Sequence, residues 1–235
     1  MKKKDLKLFI YVFIAVHAVL WQPSKAQVST FQQGKFIPEL SVGGNIGINY
    51  AKIDFQKAIQ QNNLQQYIGG ISVRYISERH FGLQAELNLS QRGWDEADKD
   101  SIGHQYARSI RYLEIPLLTH IYFNAGKRAR IVFNLGPHLS FLLNEKDLKN
   151  NIVIKDLSEG KEIPPYYETG VQRVFDYGIM AGMGLEIRTG VGSFIAEGRY
   201  TYGLSDIFSN NKSDYFSKSS NQATCIKLTY LFQLN

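Results

Sequence analysis

Cysteine is almost missing from this sequence. Cys225 stands alone, so no internal disulfide can form and no thiolate metal cluster can be built. Proline is scarce as well, six residues in 235, and no Pro-, Gly- or Ser-rich stretch divides the chain into separate domains. Positive charge is more plentiful, with 27 Lys and Arg against 21 Asp and Glu, but its excess sits at one end. The first 26 residues hold five lysines and one aspartate, which leaves 22 basic against 20 acidic residues in the remainder. That balance gives no basic footprint, and a nucleic-acid partner is excluded.

Long apolar runs are also lacking, apart from the leader. Lys2, Lys3, Lys4 and Lys7 precede an apolar stretch, Leu8–Trp21. It is about 14 residues long, short of the roughly 20 that a helical membrane span needs. Pro23 then ends any helix, and Ser24-Lys25-Ala26 supplies small residues ahead of a cut. The pattern is that of a secretory signal peptide over 1–26, with cleavage expected between Ala26 and Gln27 and a single domain over 27–235.

What the remainder does have is alternation with a period of two. In 36–50, Leu40, Val42, Ile46, Ile48 and Tyr50 share one face, while Glu39, Ser41, Gly43, Asn45 and Asn49 share the other. Similar alternation runs through 67–77, 80–93, 110–123, 129–143, 173–189, 193–204 and 223–234. Each segment reads as a strand with one apolar and one polar face. The connections alternate too. Glu78-Arg79, 124–128 and 190–192 are short, whereas 51–66, 94–109, 144–172 and 205–222 are long and polar.

Eight strands joined by alternating short and long connections predict an all-β fold: an eight-stranded antiparallel up-and-down transmembrane β-barrel. Its short turns are expected in the periplasm and its long loops outside the cell. The competing architecture is a soluble eight-stranded barrel with the same period and reversed faces. The export leader favours the membrane barrel, and so do glycine-rich polar faces that carry both signs of charge. Aromatics near the strand ends favour it as well. Tyr50, Tyr67, Phe141, Phe175, Tyr177 and Tyr202 lie toward the long loops; Tyr75, Phe81, Phe123, Phe194 and Phe232 lie toward the short turns.

The run "YLEIPLLTHIYF" at 112–123 then makes sense. Leu113, Ile115, Leu117, Thr119 and Ile121 are expected to face lipid, and Glu114, Pro116, Leu118, His120 and Tyr122 the lumen. A charge on the lipid face at mid-bilayer costs about 2–4 kcal/mol, whereas the lumen can pair it. The other ionisable groups of lumen parity are Glu39, Arg74, Glu86, Arg92, His138, Asp176, Glu186, Arg188, Glu197, Arg199 and Lys227. From these a structural polar network is expected, built on Arg74, Glu86, Glu114, His138, Glu186, Arg188, Glu197 and Arg199. The alternative is a gated ion or proton path. Pairing around the 124–128 turn is expected to set Glu114 opposite His138. The same register brings Pro116 and Pro137 together, where a bulge or ladder break is expected because proline has no N–H to give.

No catalytic, cofactor-binding or metal site is expected. His104 and Ser101 are residue types that a lipid-modifying enzyme would use, but no orienting acid accompanies them. "GGNIG" in the first strand is not a phosphate loop, since no helix follows it.

Several stretches resemble a known family. "QRGW" at 91–94, "YLEIPLLTHIYF", "NLGP" at 134–137 and "RYTYGLSDI" at 199–207 are similar to the outer-membrane β-barrel domain family, and together to its PorT-like branch. The resemblance implies an outer-membrane protein of a diderm bacterium that supports type IX protein secretion, with export of proteases and surface proteins and with gliding. Membrane lipid would surround it, and other secretion-system proteins would meet its loops or turns. A generic small barrel serving envelope integrity or adhesion is the second reading, and an outer-membrane lipid-modifying enzyme the third.

Overall fold

The computed structural model describes residues 36–56, 59–96, 105–151, 167, 169–209 and 217–234. The expected leader with its Ala26–Gln27 cut lies outside the described residues, and so do Ser101 and His104. Among the described residues nine strands form, in the order β1 (Glu39–Gln56), β2 (Gln61–Asn62), β3 (Leu64–Glu78), β4 (Phe81–Glu96), β5 (Gln105–Asn124), β6 (Ala129–Asn151), β7 (Phe175–Thr189), β8 (Gly192–Asp206) and β9 (Lys218–Gln233). β2 is a two-residue clip paired with Asp95 and Glu96 of β4. The other eight strands form the barrel. Each pairs antiparallel with its neighbour in the chain, and β1 closes on β9 from Ser41↔Gln233 to Gln56↔Lys218. Closure leaves the ring without a free edge.

The faces point as lipid requires. Ile46 is 67% exposed while its neighbour Asn45 is 7% exposed, and the same alternation runs along β3 through β9. Ile71, Leu83, Leu117, Leu135, Met183 and Leu228 stand outward on six different strands. A continuous apolar belt of this kind is stable only in a membrane, so the soluble barrel, with its apolar interior, is overturned. Aromatic residues mark both margins of the belt. Phe141 and Phe175 meet at 5.2 Å on the long-connection side, and Phe194 and Tyr230 at 5.0 Å on the short-turn side.

Four differences from the sequence reading have physical causes. First, the strands outrun their expected ends. β1 continues to Gln56, β4 to Glu96 and β6 to Asn151, and β5 starts at Gln105. A crossing strand needs only about 9–11 residues, whereas β5 and β6 have 20 and 23. Beyond the belt the outer face meets water, so the polarity of the two faces is exchanged while the period of two persists. Ala51, Ile53 and Phe55 turn inward, and Lys52 and Gln56 turn outward.

Second, the β5–β6 register is Asn124↔Arg130, with Ala125 N–H donating to Ala129 O at 2.9 Å. The hairpin therefore pivots one residue later than expected, which moves every partner by two and keeps inward residues inward. Glu114 opposes Ser140, and His138 opposes Pro116. The expected Glu114–His138 pairing does not form.

Third, of the bulge or ladder break expected at the prolines, the ladder break forms, in two ladders, and the bulge does not. The β4–β5 ladder skips Glu86 and Leu87 against Ile115 and Pro116, and the β5–β6 ladder skips Leu117 and Leu118 against Gly136 and Pro137. The register is unchanged across both gaps, as a missing N–H without an extra residue dictates. Bulges occur instead at Ala107/Arg108 and Arg111/Tyr112, near the long-connection end. Gly136 is needed at this spot, because a Cβ there would collide with Leu117 O. Fourth, Arg188 leaves the lumen and stands at its rim, beside Glu39.

Candidate functional site: a lumen filled from end to end

The inward faces of the eight strands stack three layers of different chemistry. The central layer is ionic. Glu86 on β4 is its hub. Lys227 Nζ donates to both Glu86 oxygens at 2.7 Å, and Arg199 donates to them at 3.0 and 3.1 Å. Gln84 and Asn88 complete the acceptor shell at 2.6 and 2.9 Å. Six hydrogen bonds from four side chains on two oxygens exceed the four lone-pair directions of a carboxylate, so the bonds share them. Arg199 reaches on to Glu197 at 2.8 Å. Asn134 Nδ2 donates to Glu197 at 2.9 Å, and His120 Nδ1 donates to Asn134 Oδ1 at 2.8 Å. Arg74 links the hub to the next strands, donating to Gln84 at 2.8 Å and lying 3.3 Å from Glu186.

A second ionic group lies nearer the long connections. Arg92 pairs with Glu114 and approaches Asp176 at 3.8 Å. Asn221 bridges Asp176 and the Tyr112 hydroxyl at 2.8 and 3.2 Å, and Ser205 bonds Asp176. His138 belongs here and meets Ser140 Oγ at 3.3 Å. All of these side chains are buried. Burying a charge is costly, and the cost is offset only where each charge has partners. The glycines of β7 make the room: a Cβ on Gly182 would lie 2.5 Å from Glu197 Oε1, and one on Gly178 2.6 Å from His138 Nε2.

Of the eight residues expected in the network, Arg74, Glu86, Glu186, Glu197 and Arg199 come together in the central group, and Glu114 and His138 lie in the second. Arg188 does not join either. It is partly exposed at the short-turn rim, 3.1 Å from Glu39 and from Gln233 Oε1. Lys227 and Asn134, absent from that set, are integral to it. Both have inward parity in their strands; the period of two already places Lys227 on the lumen face and could have found Asn134 as well.

Apolar layers close the two ends. At the short-turn end Ile76, Tyr122, Val132, Ile195 and Leu231 pack together, with Arg130 over the Tyr122 ring at 4.1 Å. At the other end, above the belt, Ile53, Phe55, Trp94, Tyr106, Ile110, Tyr112, Ile207 and Phe208 form a larger core. The chain returning toward β7 is strapped over it. Tyr167 stacks on Tyr106 at 4.1 Å, and its hydroxyl donates to Glu96 at 2.5 Å. Arg108 donates to Tyr167 O at 2.9 Å, to Thr169 O at 2.7 Å and to Asp147 at 2.8 Å. Val171 N–H donates to Glu145 at 3.0 Å. Burial pushes the Tyr106 phenol pKa up, which keeps it a neutral donor to Asp147. No periodicity could have placed Tyr167, which stands outside the strands.

Chemically, this arrangement offers buried ion pairs between two apolar caps. Among the described residues no group of three His, Cys, Asp or Glu is placed to hold a metal ion.

Residues 25–209 match the sequence model of the outer membrane protein β-barrel domain. No curated protein matches the chain. Among solved structures, the chain is similar to the outer membrane protein OprG from Pseudomonas aeruginosa, with 11% identity and a TM-score of 0.46 over 83% of this chain and 93% of that one. The attachment invasion locus protein Ail of Yersinia pestis gives 11% identity and 0.41 over 83% and 99%. Neisserial surface protein A gives 11% identity and 0.41 over 81% and 96%.

Proposed function

We infer the function from one premise: this chain belongs to the outer membrane protein β-barrel domain family and resides in the outer membrane of a diderm bacterium. We propose that it works as a closed scaffold, not as a pore, and that what it does is done by its ends and outer wall. The observation that carries this is the filled lumen. Among the described residues, two apolar layers with an ionic layer between them occupy the lumen, and their inward side chains are buried. The carboxylates of the central group are engaged by structural partners, which favours a scaffold over an enzyme.

Within that reading, the chain supports type IX protein secretion as a PorT-like component, meeting other secretion proteins through its connections. The stretches "QRGW", "YLEIPLLTHIYF", "NLGP" and "RYTYGLSDI" support this. Deleting the gene is expected to abolish bulk secretion of proteases and surface proteins and to leave lipid acylation unchanged. A deletion strain with normal secretion and a leaky or non-adherent envelope would move the assignment to a generic barrel, and altered lipid acylation would move it to an enzyme.

The orientation is proposed from the same family pattern, with the long connections outside and the short turns in the periplasm. Single cysteines in the long connections, in a Cys225→Ser background, are expected to react with an impermeant maleimide on intact cells. Cysteines at 125–128 are expected to react only after the outer membrane is opened; the reverse result would invert the barrel.

A further inference from the structure

The outer wall carries a feature that the filled lumen does not explain. Just above the apolar belt stand two cations, Arg111 on β5 and Lys146 on β6, both exposed and pointing outward. In register, Arg111 lies between Gln91 and Asn144, and Ser109 lies opposite Lys146. Arg111 and Lys146 are therefore diagonal neighbours across one strand pair, about 7–8 Å apart at the backbone. Side chains of that length can converge on one anion.

The surrounding charges are sorted in a telling way. The acids that flank Lys146 in sequence, Glu145 and Asp147, point inward and are taken by Arg108. Asp95, outward on β4, is held by Lys149 at 3.1 Å. Among the described residues, neither Arg111 nor Lys146 has a carboxylate within ion-pair distance. Directly below them the wall is apolar, with Leu89, Phe141 and Leu143 exposed. Two such cations, with carboxamides beside them and acyl-compatible surface beneath, complement an amphiphile with an anionic head.

We propose that this wall binds a membrane lipid through an anionic phosphate in its headgroup. Arg111 gives a planar pair of donors to the phosphate oxygens, Lys146 adds a point charge, and the chains lie along Leu89, Phe141 and Leu143. The inference rests on the membrane belt and is indifferent to which end of the barrel faces the cell exterior.

The test uses the full barrel in phosphatidylcholine vesicles, with spin-labelled phosphatidic acid and spin-labelled phosphatidylcholine as probes. At low salt each surface cation raises the local concentration of an anionic headgroup roughly fivefold. The native barrel is expected to select phosphatidic acid at least about fivefold, and Arg111→Gln/Lys146→Gln to bring the selectivity below about twofold. The charge-keeping swap Arg111→Lys/Lys146→Arg is expected to retain it. Arg79→Gln/Lys127→Gln, at the short turns, is expected to leave it unchanged. Folding of each variant is read separately by heat-modifiable gel mobility. Absence of selectivity in the native barrel overturns the proposal. So does equal selectivity in the Arg111/Lys146 double variant, or loss of selectivity in the short-turn variant alone. Inorganic phosphate that competes the selectivity away at millimolar levels would show a free-anion site and overturn it as well.

Discussion

Glu86→Leu is expected to lower the urea unfolding midpoint of the detergent-solubilised barrel more than any other single substitution in the lumen. Its carboxylate accepts from Lys227, Arg199, Gln84 and Asn88, and Lys227 has no other carboxylate within ion-pair distance among the described residues. Removing it strands a buried ammonium, whereas Arg199 keeps Glu197. Loss of one partner of a buried pair typically costs about 3–5 kcal/mol, and this hub sits at the upper end because four donors lose their acceptor together. Arg188→Leu makes the contrast. Its pair with Glu39 is at the partly exposed rim, where an ion pair contributes about 0–1 kcal/mol. A cycle with Lys227→Met separates the charge from the packing. The double variant Glu86→Leu/Lys227→Met is expected to recover most of the loss, since neither member leaves the other buried alone. Equal midpoints for Glu86→Leu and Arg188→Leu would sink the hub assignment.

This result would also test how far the alternation in the sequence can be trusted. Parity along each strand places Glu86, Arg74, Glu197 and Arg199 on the inward face, and that is a property of one strand at a time. Which of them touch is a property of register, and register is set at the turns. Between β5 and β6 the pivot falls one residue later than 124–128 implies, so Glu114 meets Arg92 and not His138. A shift of two is invisible to a pattern of period two. Arg188 escapes the network for a related reason: parity gives the face but not the depth, and β7 ends at Thr189, one residue beyond it.

The stretches above the belt show where hydrophobic alternation fails outright. Ile53, Phe55 and Trp94 keep the inward parity of Asn45, Asn49 and Arg92, but they are apolar where those are polar. The medium outside the wall has changed from lipid to water, so the pattern exchanges its faces, and a reading that follows greasy residues ends the strand too early. "QRGW" straddles that transition. Arg92 is in the ionic layer and Trp94 is in the aromatic core. Gly93 between them has φ 141°, and a Cβ there would collide with Arg108 O. A motif read as a family mark is also the seam where one kind of barrel interior becomes another.

The strap across that core is the part no local pattern could reveal, and it gives the second large effect. Arg108→Met is expected to raise the alkylation rate of a cysteine at position 169, in a Cys225→Ser background, by roughly a hundredfold. Hydrogen bonds from a charged donor contribute about 1.5–3 kcal/mol each. Arg108 makes two of them to the strap, at Tyr167 O and Thr169 O. Even if the pair contributes only about 3 kcal/mol, the open population rises by two powers of ten, since about 1.4 kcal/mol is a factor of ten. The methionine keeps a long apolar stem against Trp94 and Tyr106, over which the guanidinium now lies at 5.7 and 5.6 Å. Packing is therefore largely preserved and the lost donors account for the change. Tyr167→Phe removes one hydroxyl bond, to Glu96, and leaves the stacking on Tyr106, so its effect is expected to stay within about tenfold. Because the strap lies outside the ring of ladders, Arg108→Met should accelerate labelling with only a small change in the urea midpoint of the barrel. A labelling rate that stays at the native value would mean that Glu145 and the Tyr167–Tyr106 stack hold the strap without Arg108. A midpoint that falls as far as that of Glu86→Leu would mean instead that the outer core and the barrel wall unfold as one unit.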